Sequence, residues 1–483
     1  MKNKKIAIVG AGVAGSTIAL RLAELGIDTT LIEKGPSLVN GPPICHLHAG
    51  GNLYREISDQ QCITLLQQSI DTVKVYPQSV NVRPTIVALP VSDQDEPHDL
   101  LPRLQKLRAH YQALVTQDQN NEVLGKPEHY FRLFERAEIE DLAQRPLPTH
   151  AECDEDWLVA FAKKVNLNKL KFPLVVVQEY GLSAFRFAAI VSLTIERLAN
   201  CRLQTNRQVM NIKEKSEGSG WLVSTKNTIN AEQVEVSHYD YVVNACGFKS
   251  GELDDMLNAK RQRMVEFKAA YVAHWPQCQG LWPEVVFYGE RGTPQGMAQL
   301  TPYPDGYFQL HGMTQAITLF EDGLVASCEQ SSQPQLPARF IKKIENQWPE
   351  QLINERTLGS IAHIAQFIPE FSNANTAAKP LFGAQQIPGD DPELRAADVS
   401  FHQGGYARAE IVKASSALAA ADAILQDLLN SGVITSAHAQ RYASEHYFPI
   451  SLQCKAEEVT SKAGQLARER NYPEALARNF NSN

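Results

Sequence analysis

The spacing of apolar and polar positions at the start of the chain predicts a strand, a tight turn, a helix and a second strand. Lys5 to Val9 is a short apolar run that ends at Gly10-Ala11-Gly12. Ala14 to Leu25 then repeats alanine, isoleucine and leucine at helical spacing, and Thr29 to Ile32 is a second apolar run. This order of elements is that of a βαβ unit that holds a dinucleotide.

The segment GAGVAG places three glycines where a dinucleotide fingerprint needs them. Gly10 permits the tight turn, and Gly12 leaves no side chain between the backbone and a pyrophosphate. Gly15 allows the helix to lie close to the strand. Ala14 lies in the first turn of the helix, whose N-terminus faces the phosphate charge.

An acid follows the second apolar run at the distance where a carboxylate can bond the ribose hydroxyls of a dinucleotide. This acid is Glu33, and Lys34 comes next. The segment therefore predicts an adenine dinucleotide, and Glu33 favours FAD or NAD over NADP. A secretory leader would need a small-residue cleavage site and would not continue into a second strand. An ordinary βαβ unit whose glycines serve only packing remains the alternative.

Regular alternation of elements is interrupted after this unit and resumes late in the chain. Met264 to Leu319 is rich in β-branched and aromatic residues broken by turns, which predicts an antiparallel sheet that forms a substrate domain. The other elements that the pattern predicts are helices at Gln60–Ile70, Leu100–Val115 and Ala188–Leu198, strands at Gln208–Lys213, Gly220–Ser224 and Tyr239–Gly247, and a long alanine-rich helix after the glycine pair of FHQGGYARAE.

Composition excludes several classes of protein. The chain has 483 residues, of which 43% are hydrophobic, and 46 basic against 54 acidic residues give a net charge of −8. No basic patch interleaves with aromatic residues, so no nucleic-acid partner is expected. No apolar stretch approaches the length of a membrane span, which leaves at most a peripheral membrane contact. The eight cysteines form no CxxC pair, so we expect no metal site and a reducing, cytoplasmic location.

Five motifs in order resemble those of the FAD-dependent oxidoreductases of the D-amino-acid oxidase superfamily. They are GAGVAG with Glu33, HLHAGG, VVNACG, PDGYFQLHG and HQGGYARAE. The resemblance extends from Met1 to about Leu429, and the later motifs are persuasive only through their order. It implies an α/β fold: a Rossmann-like FAD-binding domain, discontinuous in sequence, with an interleaved antiparallel-sheet substrate domain over the isoalloxazine ring.

The same resemblance sets the expected domain boundaries. We place the FAD-binding domain at 1–80, 170–262 and 375–430, and the substrate domain at 81–169 and 263–374. Residues 431–483 form a C-terminal extension to which the sequence assigns no role.

Within the superfamily, LHAGGNLY is similar to a stretch near the flavin in glycerol-3-phosphate and L-2-hydroxyglutarate dehydrogenases, and malate:quinone oxidoreductases are a looser relative. The loop before it, NGPPICHLH, departs from that pattern because it contains prolines where a polar loop is expected. The resemblance implies an oxidoreductase that removes a hydride from a CH–OH or CH–NH carbon of a small, carboxylate-bearing substrate. The electrons would pass to an acceptor such as quinone or oxygen.

Three other functions stay open from the sequence. The first is an enzyme of the D-amino-acid or amine oxidase type, and the second is a flavin-binding assembly protein without turnover. An NAD-dependent enzyme is the third, and it is disfavoured because the chain shows a single complete GxGxxG pattern.

Two residues are the first candidates for the chemistry that the resemblance implies. His48, before a Gly-Gly pair, could take a hydroxyl proton as hydride leaves, because the pKa of an imidazole lies near working pH. Arg408 could clamp a substrate carboxylate in two hydrogen bonds. The alternatives are a loop hydrogen bond for His48 and a surface ion pair or helix cap for Arg408.

The remaining candidates are weaker. Tyr303 and His402 are further catalytic candidates from motif order, together with His311, and Arg186 is a further carboxylate partner. His46 or Cys45 would matter if FAD were attached covalently, although non-covalent FAD is the default. The cofactor contacts that the resemblance implies beyond the first unit are Gly50, Val209, Gly247, Gly404, Gly405 and Tyr406.

Overall fold

The computed structural model describes residues 4–40, 47, 50–51, 57–216, 220–230, 234–396, 399–435 and 448–480. Its α-helices are, in chain order, α1 (Val13–Glu24), α2 (Asp59–Val75), α3 (Leu101–Gln117), α4 (Arg136–Leu142), α5 (Asp154–Lys164), α6 (Ala184–Ile195), α7 (Ser250–Met256), α8 (Ala338–Ile344), α9 (Glu350–Ala365), α10 (Ala417–Asn430) and α11 (Ala456–Glu469).

The strands of the described residues are β1 (Lys5–Val9), β2 (Asp28–Ile32), β3 (Val80–Asn81), β4 (Thr85–Ala88), β5 (Phe131–Phe134), β6 (Leu174–Val177), β7 (Gly181–Leu182), β8 (Cys201–Gln204), β9 (Arg207–Glu214), β10 (Trp221–Asn227), β11 (Val234–Tyr239), β12 (Tyr241–Asn244), β13 (Arg263–His274), β14 (Glu284–Phe287), β15 (Ala298–Pro302), β16 (Tyr307–Gly312), β17 (Leu324–Ala326), β18 (Asn375–Thr376), β19 (Leu381–Pro388), β20 (Val399–His402) and β21 (Tyr406–Ala409).

A six-stranded sheet contains the predicted βαβ unit at its centre. Its strand order is β20-β21-β12-β1-β2-β8, and every neighbouring pair is parallel except β20 with β21. Ile6 and Ile8 of β1 are fully buried, as expected for a parallel strand covered on both faces. Helices α1 and α10 pack on each other and on this sheet through one apolar core. The predicted strand–turn–helix–strand order is confirmed, with helix ends displaced by one residue.

A ten-stranded, mostly antiparallel sheet forms the second layer. Its order is β17-β13-β16-β15-β14-β4-β6-β5, and β18 and β19 also pair with β13. One face packs against an aromatic core that includes Trp275, Trp282, Phe308 and Phe371, next to the buried side of α9. The predicted antiparallel sheet over Met264 to Leu319 corresponds to β13 through β16.

Two of the expected domain boundaries fall before strands of the ten-stranded sheet. Strand β6 begins at Leu174, beyond the expected boundary at 170, and β19 begins at Leu381, beyond the one at 375. Both strands pair inside the substrate sheet because their apolar residues are buried there. The chain therefore crosses between the two layers later than the sequence indicates.

A three-stranded antiparallel sheet, β11-β10-β9, lies beside the six-stranded sheet. Its inner face buries Val209, Ile212, Trp221 and Val223 against Ala7, Val9 and Ile32 of the parallel strands. Val209 is thus held at the carboxyl ends of β1 and β2 by the same core that fixes those strands.

Buried charges join the two large sheets. Asp254 of α7 is fully buried and accepts bonds from Arg263 Nη2 at 2.5 Å and from Arg408 Nε at 2.7 Å. Glu410, which follows β21, pairs with the same Arg263 at 3.2 Å and with Arg261 at 2.8 Å. Because Arg263 begins β13, this ionic network connects a strand of the ten-stranded sheet to the six-stranded sheet.

Replacing Asp254 by alanine should destabilise the protein by about 3–5 kcal/mol, because the substitution leaves Arg263 and Arg408 buried without their shared carboxylate. The measurement is the free energy of unfolding in urea. The control is Glu140→Ala, which removes an exposed i,i+4 partner of Arg136 and should cost about 0.5 kcal/mol or less. Equal losses in both variants would contradict the importance of the network.

Candidate functional site

A cavity opens at the carboxyl edge of the parallel strands, where β1, β2 and β12 end. Its volume is about 250 Å³, which is close to the lower limit of ordinary ligand pockets. Six residues that the sequence singled out line it, and they come from four separate parts of the chain. These are Gly10, Gly12, Glu33, Lys34, Val209 and Gly247.

The surroundings of Gly10, Gly12 and Gly15 differ, so the reason for a glycine differs from one position to the next. An added Cβ at Gly10, whose φ is +98°, would lie 2.4 Å from the carbonyl oxygen of Ala245. At Gly15 it would lie 1.8 Å from the carbonyl oxygen of Gly10, so helix and strand touch there. At Gly12 it would meet nothing within 4 Å. Packing therefore requires Gly10 and Gly15, whereas Gly12 faces open space at the mouth of α1.

The carboxylate of Glu33 is held by backbone donors at the floor of the cavity. The N–H of Ala11 donates to Oε2 at 2.8 Å, and the N–H of Gly35 donates to Oε1 at 2.7 Å. Each carboxylate oxygen keeps a lone pair beyond these bonds, so Glu33 can still accept hydrogen bonds from hydroxyl groups. Both bonds fix the carboxylate beside the glycine turn.

Cations surround the outer part of the cavity. Burial and the neighbouring Lys249 lower the pKa of Lys34 from its ordinary value. Arg207 also lines the cavity and pairs with Glu235 at 3.2 Å. Burial raises the pKa of the Cys246 thiol, which donates to the carbonyl of Val9 at 3.4 Å and stays neutral. The cavity thus combines the anchored carboxylate of Glu33 with three cationic side chains, of which Lys249 pairs with a second lining carboxylate, Glu252, at 2.8 Å. Such a set suits ribose and phosphate groups.

The glycine pair Gly404-Gly405 lies at the opposite edge of the sheet, which corrects its interpretation as a cofactor loop. It precedes β21, and the carbonyl of Gly405 accepts the N–H of Val242 at the start of β12. A four-residue strand spans about 13 Å, so this turn is separated from the carboxyl edge by the length of the sheet. The carbonyl oxygens of Gly404 and Gly405 accept hydrogen bonds from Trp221 Nε1 at 2.8 and 3.1 Å.

Tyr406 and His402 share that placement. Tyr406 is fully buried, and its hydroxyl donates to Asp254 at 2.9 Å. His402 is exposed on the edge strand β20, with its ring against that of Tyr406. The Tyr406 hydroxyl also accepts a bond from Nδ2 of Asn244, the last residue of β12, at 2.8 Å, but neither Tyr406 nor His402 lines the cavity. This geometry gives no support to the cofactor contact predicted for Tyr406 or to the catalytic role predicted for His402.

Arg408 does not offer a free guanidinium to a substrate. Its side chain is about 5% exposed, its Nε donates to Asp254 at 2.7 Å, and its Nη2 donates to the carbonyl of Ala259 at 3.1 Å. Its partner Asp254 lies 154 positions earlier in the chain and is buried. The interaction is therefore neither the surface ion pair nor the helix cap that the sequence left open. The hypothesis of a carboxylate clamp at Arg408 is therefore replaced by a structural role in the ionic network.

The HLHAGG stretch is described in part. His48, His46 and Cys45 lie outside the described residues, so their predicted roles stay predictions. The N–H of Leu47 donates to the carbonyl of Tyr180 at 3.1 Å, and the N–H of Gly51 donates to Glu179 Oε1 at 2.5 Å. Gly50 has a φ of +97°, and an added Cβ there would lie 2.7 Å from the carbonyl of Cys62. Close packing against α2 explains the glycine at position 50.

The face of the ten-stranded sheet that is turned toward the six-stranded sheet is unusually polar. Ala270 and Val272 of this face share a core with β1 and α1, whereas the polar side chains occupy the neighbouring strands. They are Thr85, Glu284, Gln299, Thr301, Gln309 and His311. We call this set the polar strip. Burying such a row of polar groups is costly unless they have partners.

One member of the polar strip lacks a partner. Gln309 is 1% exposed, and within the described part of the chain neither its amide nitrogen nor its amide oxygen has a hydrogen-bond partner. Glu284 is paired with Arg83 at 2.6 Å and accepts from Thr301 at 3.4 Å. A buried amide without a partner indicates a place for a ligand or ordered water.

A cationic cluster extends the polar strip along β13. Glu266 pairs with Lys268 Nζ at 2.7 Å and with Arg291. Burial alone would raise the pKa of Glu266, but Lys268, Arg291 and Arg395 outweigh it and hold that pKa below its usual value. Burial, opposed by Glu266, lowers the pKa of Lys268 to about 8. Three cations thus surround one carboxylate, and we call Lys268, Arg291 and Arg395 with Glu266 the cationic cluster.

Contacts connect the cationic cluster to the carboxyl edge of the parallel sheet. Lys268 Nζ donates to Gln385 Oε1 at 3.2 Å, and Gln385 Nε2 donates to the carbonyl of Val412 at 2.8 Å. Val412 lies in the segment between β21 and α10, which leaves the same edge as the cavity. These two bonds link the cationic cluster to the segment that leaves that edge, whereas Arg291 and Arg395 line a second cavity of about 80 Å³, which shares no lining residue with the dinucleotide cavity.

The other weak candidates have structural surroundings. Tyr303 is buried in the core shared by the two sheets. His311 is a member of the polar strip, and its partner across the sheet is Gln299. Arg186 is buried, its pKa is lowered by burial to about 10, and it donates to the backbone of Gln78, Val80 and Ala477. These bonds leave Arg186 no role as a carboxylate partner.

Sequence reasoning missed the cationic cluster, although a signal was present. Strand β13 reads RMVEFKAAYVAH, and its burial is continuous at most positions. Glu266 and Lys268 are two positions apart, so they share a face of an otherwise apolar strand. Charged residues on the buried face of a strand indicate a functional site. Arg207, Phe248 and Lys249 in the cavity gave no comparable signal.

Comparison with known proteins agrees with this geometry. The family model described as FAD dependent oxidoreductase (DAO) matches residues 5–42. No match was found among curated protein sequences.

Three solved structures similar to this chain illustrate the fold. L-amino acid deaminase from Proteus vulgaris has a TM-score of 0.55 at 13% identity, covering 89% of this chain and 94% of its own. L-proline dehydrogenase from P. horikoshii has a TM-score of 0.54 at 13% identity, with coverages of 89% and 94%. Glycerol-3-phosphate dehydrogenase from Bacillus halodurans, complexed with FAD, has a TM-score of 0.52 at 14% identity, with coverages of 99% and 81%.

These findings confirm the predicted resemblance to FAD-dependent oxidoreductases of the D-amino-acid oxidase superfamily. The family model covers the nucleotide-binding unit, and the three solved structures share the fold over 89–99% of this chain. At these identities the comparison establishes the fold and leaves the substrate open.

The two glycines with opposite surroundings give a matched test of the cavity. Gly12→Ala should leave the thermal midpoint of the apoprotein unchanged, because its Cβ meets nothing, yet it should weaken binding of added FAD about tenfold or more by displacing a phosphate from backbone donors. Gly15→Ala should destabilise the protein by about 1–3 kcal/mol through overpacking. FAD affinity is measured by fluorescence titration. Unchanged affinity in Gly12→Ala would place the dinucleotide elsewhere.

Proposed function

We propose that this protein is an FAD-dependent oxidoreductase that removes a hydride from a CH–OH or CH–NH carbon of a small anionic substrate. The observation that carries the proposal is the polar strip with its cationic cluster, on the face of the ten-stranded sheet that is turned toward the six-stranded sheet. Gln385 and Val412 link this cluster to the carboxyl edge of the parallel strands. A core built only for stability would not place charged side chains and an amide without a partner at this position.

The residues of the cavity fit the adenosine diphosphate part of FAD. Glu33 would accept the ribose hydroxyls, and the free N–H groups at the start of α1 would face the pyrophosphate across Gly12. Val209 and Gly247 would line the adenine. When bound, FAD supplies the hydride acceptor of the reaction.

The protein's own contribution to catalysis is to position and neutralise the substrate. A net positive charge in a largely buried site attracts an anion and fixes its orientation. Arg291 is the member of the cationic cluster with the most solvent access, since about 35% of its side chain is exposed. It replaces Arg408 as the proposed carboxylate-binding arginine. Gln309 would add an amide donor and acceptor to the substrate or the flavin edge.

The proton of the reacting group needs an acceptor. We retain His48 for this role, because it stands between Leu47 and Gly50, which the structure places next to Tyr180 and α2. A neutral imidazole there would take the proton while the hydride leaves. The electrons would then pass to an acceptor such as quinone or oxygen.

Within the described residues, no helix has both the length and the apolar character that crossing a bilayer requires.

Anaerobic reduction of the purified holoprotein tests the proposed function directly. Loss of the flavin absorption bands on adding hydroxy acids would support CH–OH oxidation, and loss on adding amino acids would support CH–NH oxidation. A flavin that neither group of anionic compounds reduces, while dithionite does, would favour a flavin-binding protein without turnover. His48→Asn should retain the flavin and slow its reduction by about 100-fold or more.

Arg291→Gln should raise the KM for the anionic substrate by about tenfold or more, because a charged hydrogen-bond donor is removed from the substrate's anion. The bound flavin should remain, since Arg291 does not line the dinucleotide cavity. The matched control is Arg339→Gln, which removes an exposed cation paired with Asp322. If both variants behave as the wild type does, the anion binds at another place.

The cationic cluster also predicts a pH dependence. Lys268 is charged below its pKa of about 8 and neutral above it, so the cluster loses one positive charge as pH rises through 8. Glu266 stays ionised in this range because its pKa is held low. We expect kcat/KM for a hydroxy acid to fall above about pH 8. Lys268→Met should lack this limb of the profile, and a limb that persists would assign it to another group.

A further inference from the structure

A strained residue lies in the loop between β2 and the HLHAGG stretch. Val39 has a φ of +49°, a left-handed conformation that is rare for a β-branched side chain. The side chain is buried in the core of the six-stranded sheet. The N–H of Val39 donates to the carbonyl of Ala11 at 2.7 Å, so the strained residue is bonded to the glycine turn of the cavity. Such strain persists only where the surroundings hold it.

A residue of the C-terminal extension holds Val39 in this conformation. Arg470, just after α11, donates from Nη1 to the carbonyl of Val39 at 2.8 Å. Its Nη2 donates to the carbonyl of Leu38 at 2.6 Å and to Ser37 Oγ at 3.2 Å. Burial lowers the pKa of this guanidinium, and no ion pair joins it to a carboxylate in the ranges that the structure describes. Arg470 is thus a half-buried cation that bonds the loop 35–40, and its guanidinium also lies over the ring of Phe185 in α6, 5.7 Å from the ring centroid.

The same loop reaches the dinucleotide cavity at both of its ends. The N–H of Gly35 bonds the carboxylate of Glu33, and Asn40 lines the cavity. Ser37 Oγ donates to Asn40 Oδ1 at 2.6 Å, and it also accepts the bond from Arg470. A displacement of this loop would therefore move Glu33, Ala11 and Asn40 together.

We infer that Arg470 is a positioning residue for the cofactor: it holds the loop 35–40 in its strained conformation and so presets the dinucleotide cavity for FAD. The inference rests on the proposed function. It assigns the C-terminal extension a part in cofactor binding, where the sequence assigned none.

Anchoring of the extension does not depend on Arg470. Glu24 accepts the N–H of Ile450 at 2.6 Å, Arg197 pairs with Glu458 at 3.0 Å, and Tyr472 Oη donates to the carbonyl of Pro380 at 2.8 Å. Helix α11 also packs on α6. These contacts remain when Arg470 is replaced, so the substitution acts on the loop.

Arg470→Ala tests the inference in the apoprotein of the full chain. Binding of added FAD, followed by quenching of flavin fluorescence, should weaken about tenfold or more because bonds from a charged donor are lost. The matched control is Arg468→Ala, two positions earlier, whose guanidinium pairs with the exposed Glu474. The control should bind FAD as the wild type does. The thermal midpoints of both apoproteins should stay close to that of the wild type.

Val39→Gly gives a second, independent variant. Glycine adopts a positive φ without strain, so the loop no longer needs Arg470 to hold it. Adding Arg470→Ala to Val39→Gly should weaken FAD binding by about threefold or less, a coupling that residues in contact show in a double-mutant cycle. Equal effects of Arg470→Ala in the two backgrounds would contradict the coupling.

The outcomes separate this inference from the proposed function. Wild-type protein that fails to bind FAD overturns both. A wild type that binds FAD, with Arg470→Ala binding it equally well, overturns the inference alone. Arg470→Ala that lowers the thermal midpoint of the apoprotein without changing FAD affinity assigns Arg470 to stability and likewise overturns it.

Discussion

One buried carboxylate, Asp254, connects the parts of the molecule that must act together. It belongs to α7, whose Glu252 and Leu253 line the dinucleotide cavity. Its partner Arg263 begins β13, the strand that carries the cationic cluster, and the same guanidinium bonds Glu410 at the start of the segment that leads to Val412. Because a buried charge is costly unless it is paired, the network fixes the two sheets in one relative position. Cofactor and substrate can then be held at a constant separation.

The parts that the sequence predicts well are those whose contacts are local. Strand, turn, helix and second strand at 5–33 follow from spacing within one short segment, and five-residue β1 has the predicted bounds. The glycine pair at 404–405 was misassigned because a glycine turn before a strand resembles one before a helix. Sheet topology decides the difference: β21 runs parallel to β12, so its start and its end lie at opposite edges.

Side-chain roles that depend on distant partners are beyond the reach of spacing alone. Arg408 has the sequence context of a flavin loop, yet its partner Asp254 stands 154 positions earlier and removes it from the substrate. Arg291 belongs to no motif, and its proposed role rests on its pairing, from the turn after β14, with Glu266 of β13. The charged pair on β13 is the exception, because alternation within one strand is visible in the sequence.

The two halves of the proposed site differ in what forms them, and this difference allows one fold to serve different functions. Backbone N–H groups and glycines form the floor of the dinucleotide cavity, so its geometry depends on the path of the chain and survives wide sequence change. The proposed substrate region consists of side chains from β13, the segment after β14 and the segment after β19, which can vary without altering the path of the sheet. Neighbours with the same fold at 13% identity accordingly act on different compounds. On the proposed function, the cationic cluster and the polar strip select the substrate, and the glycine turn holds the cofactor.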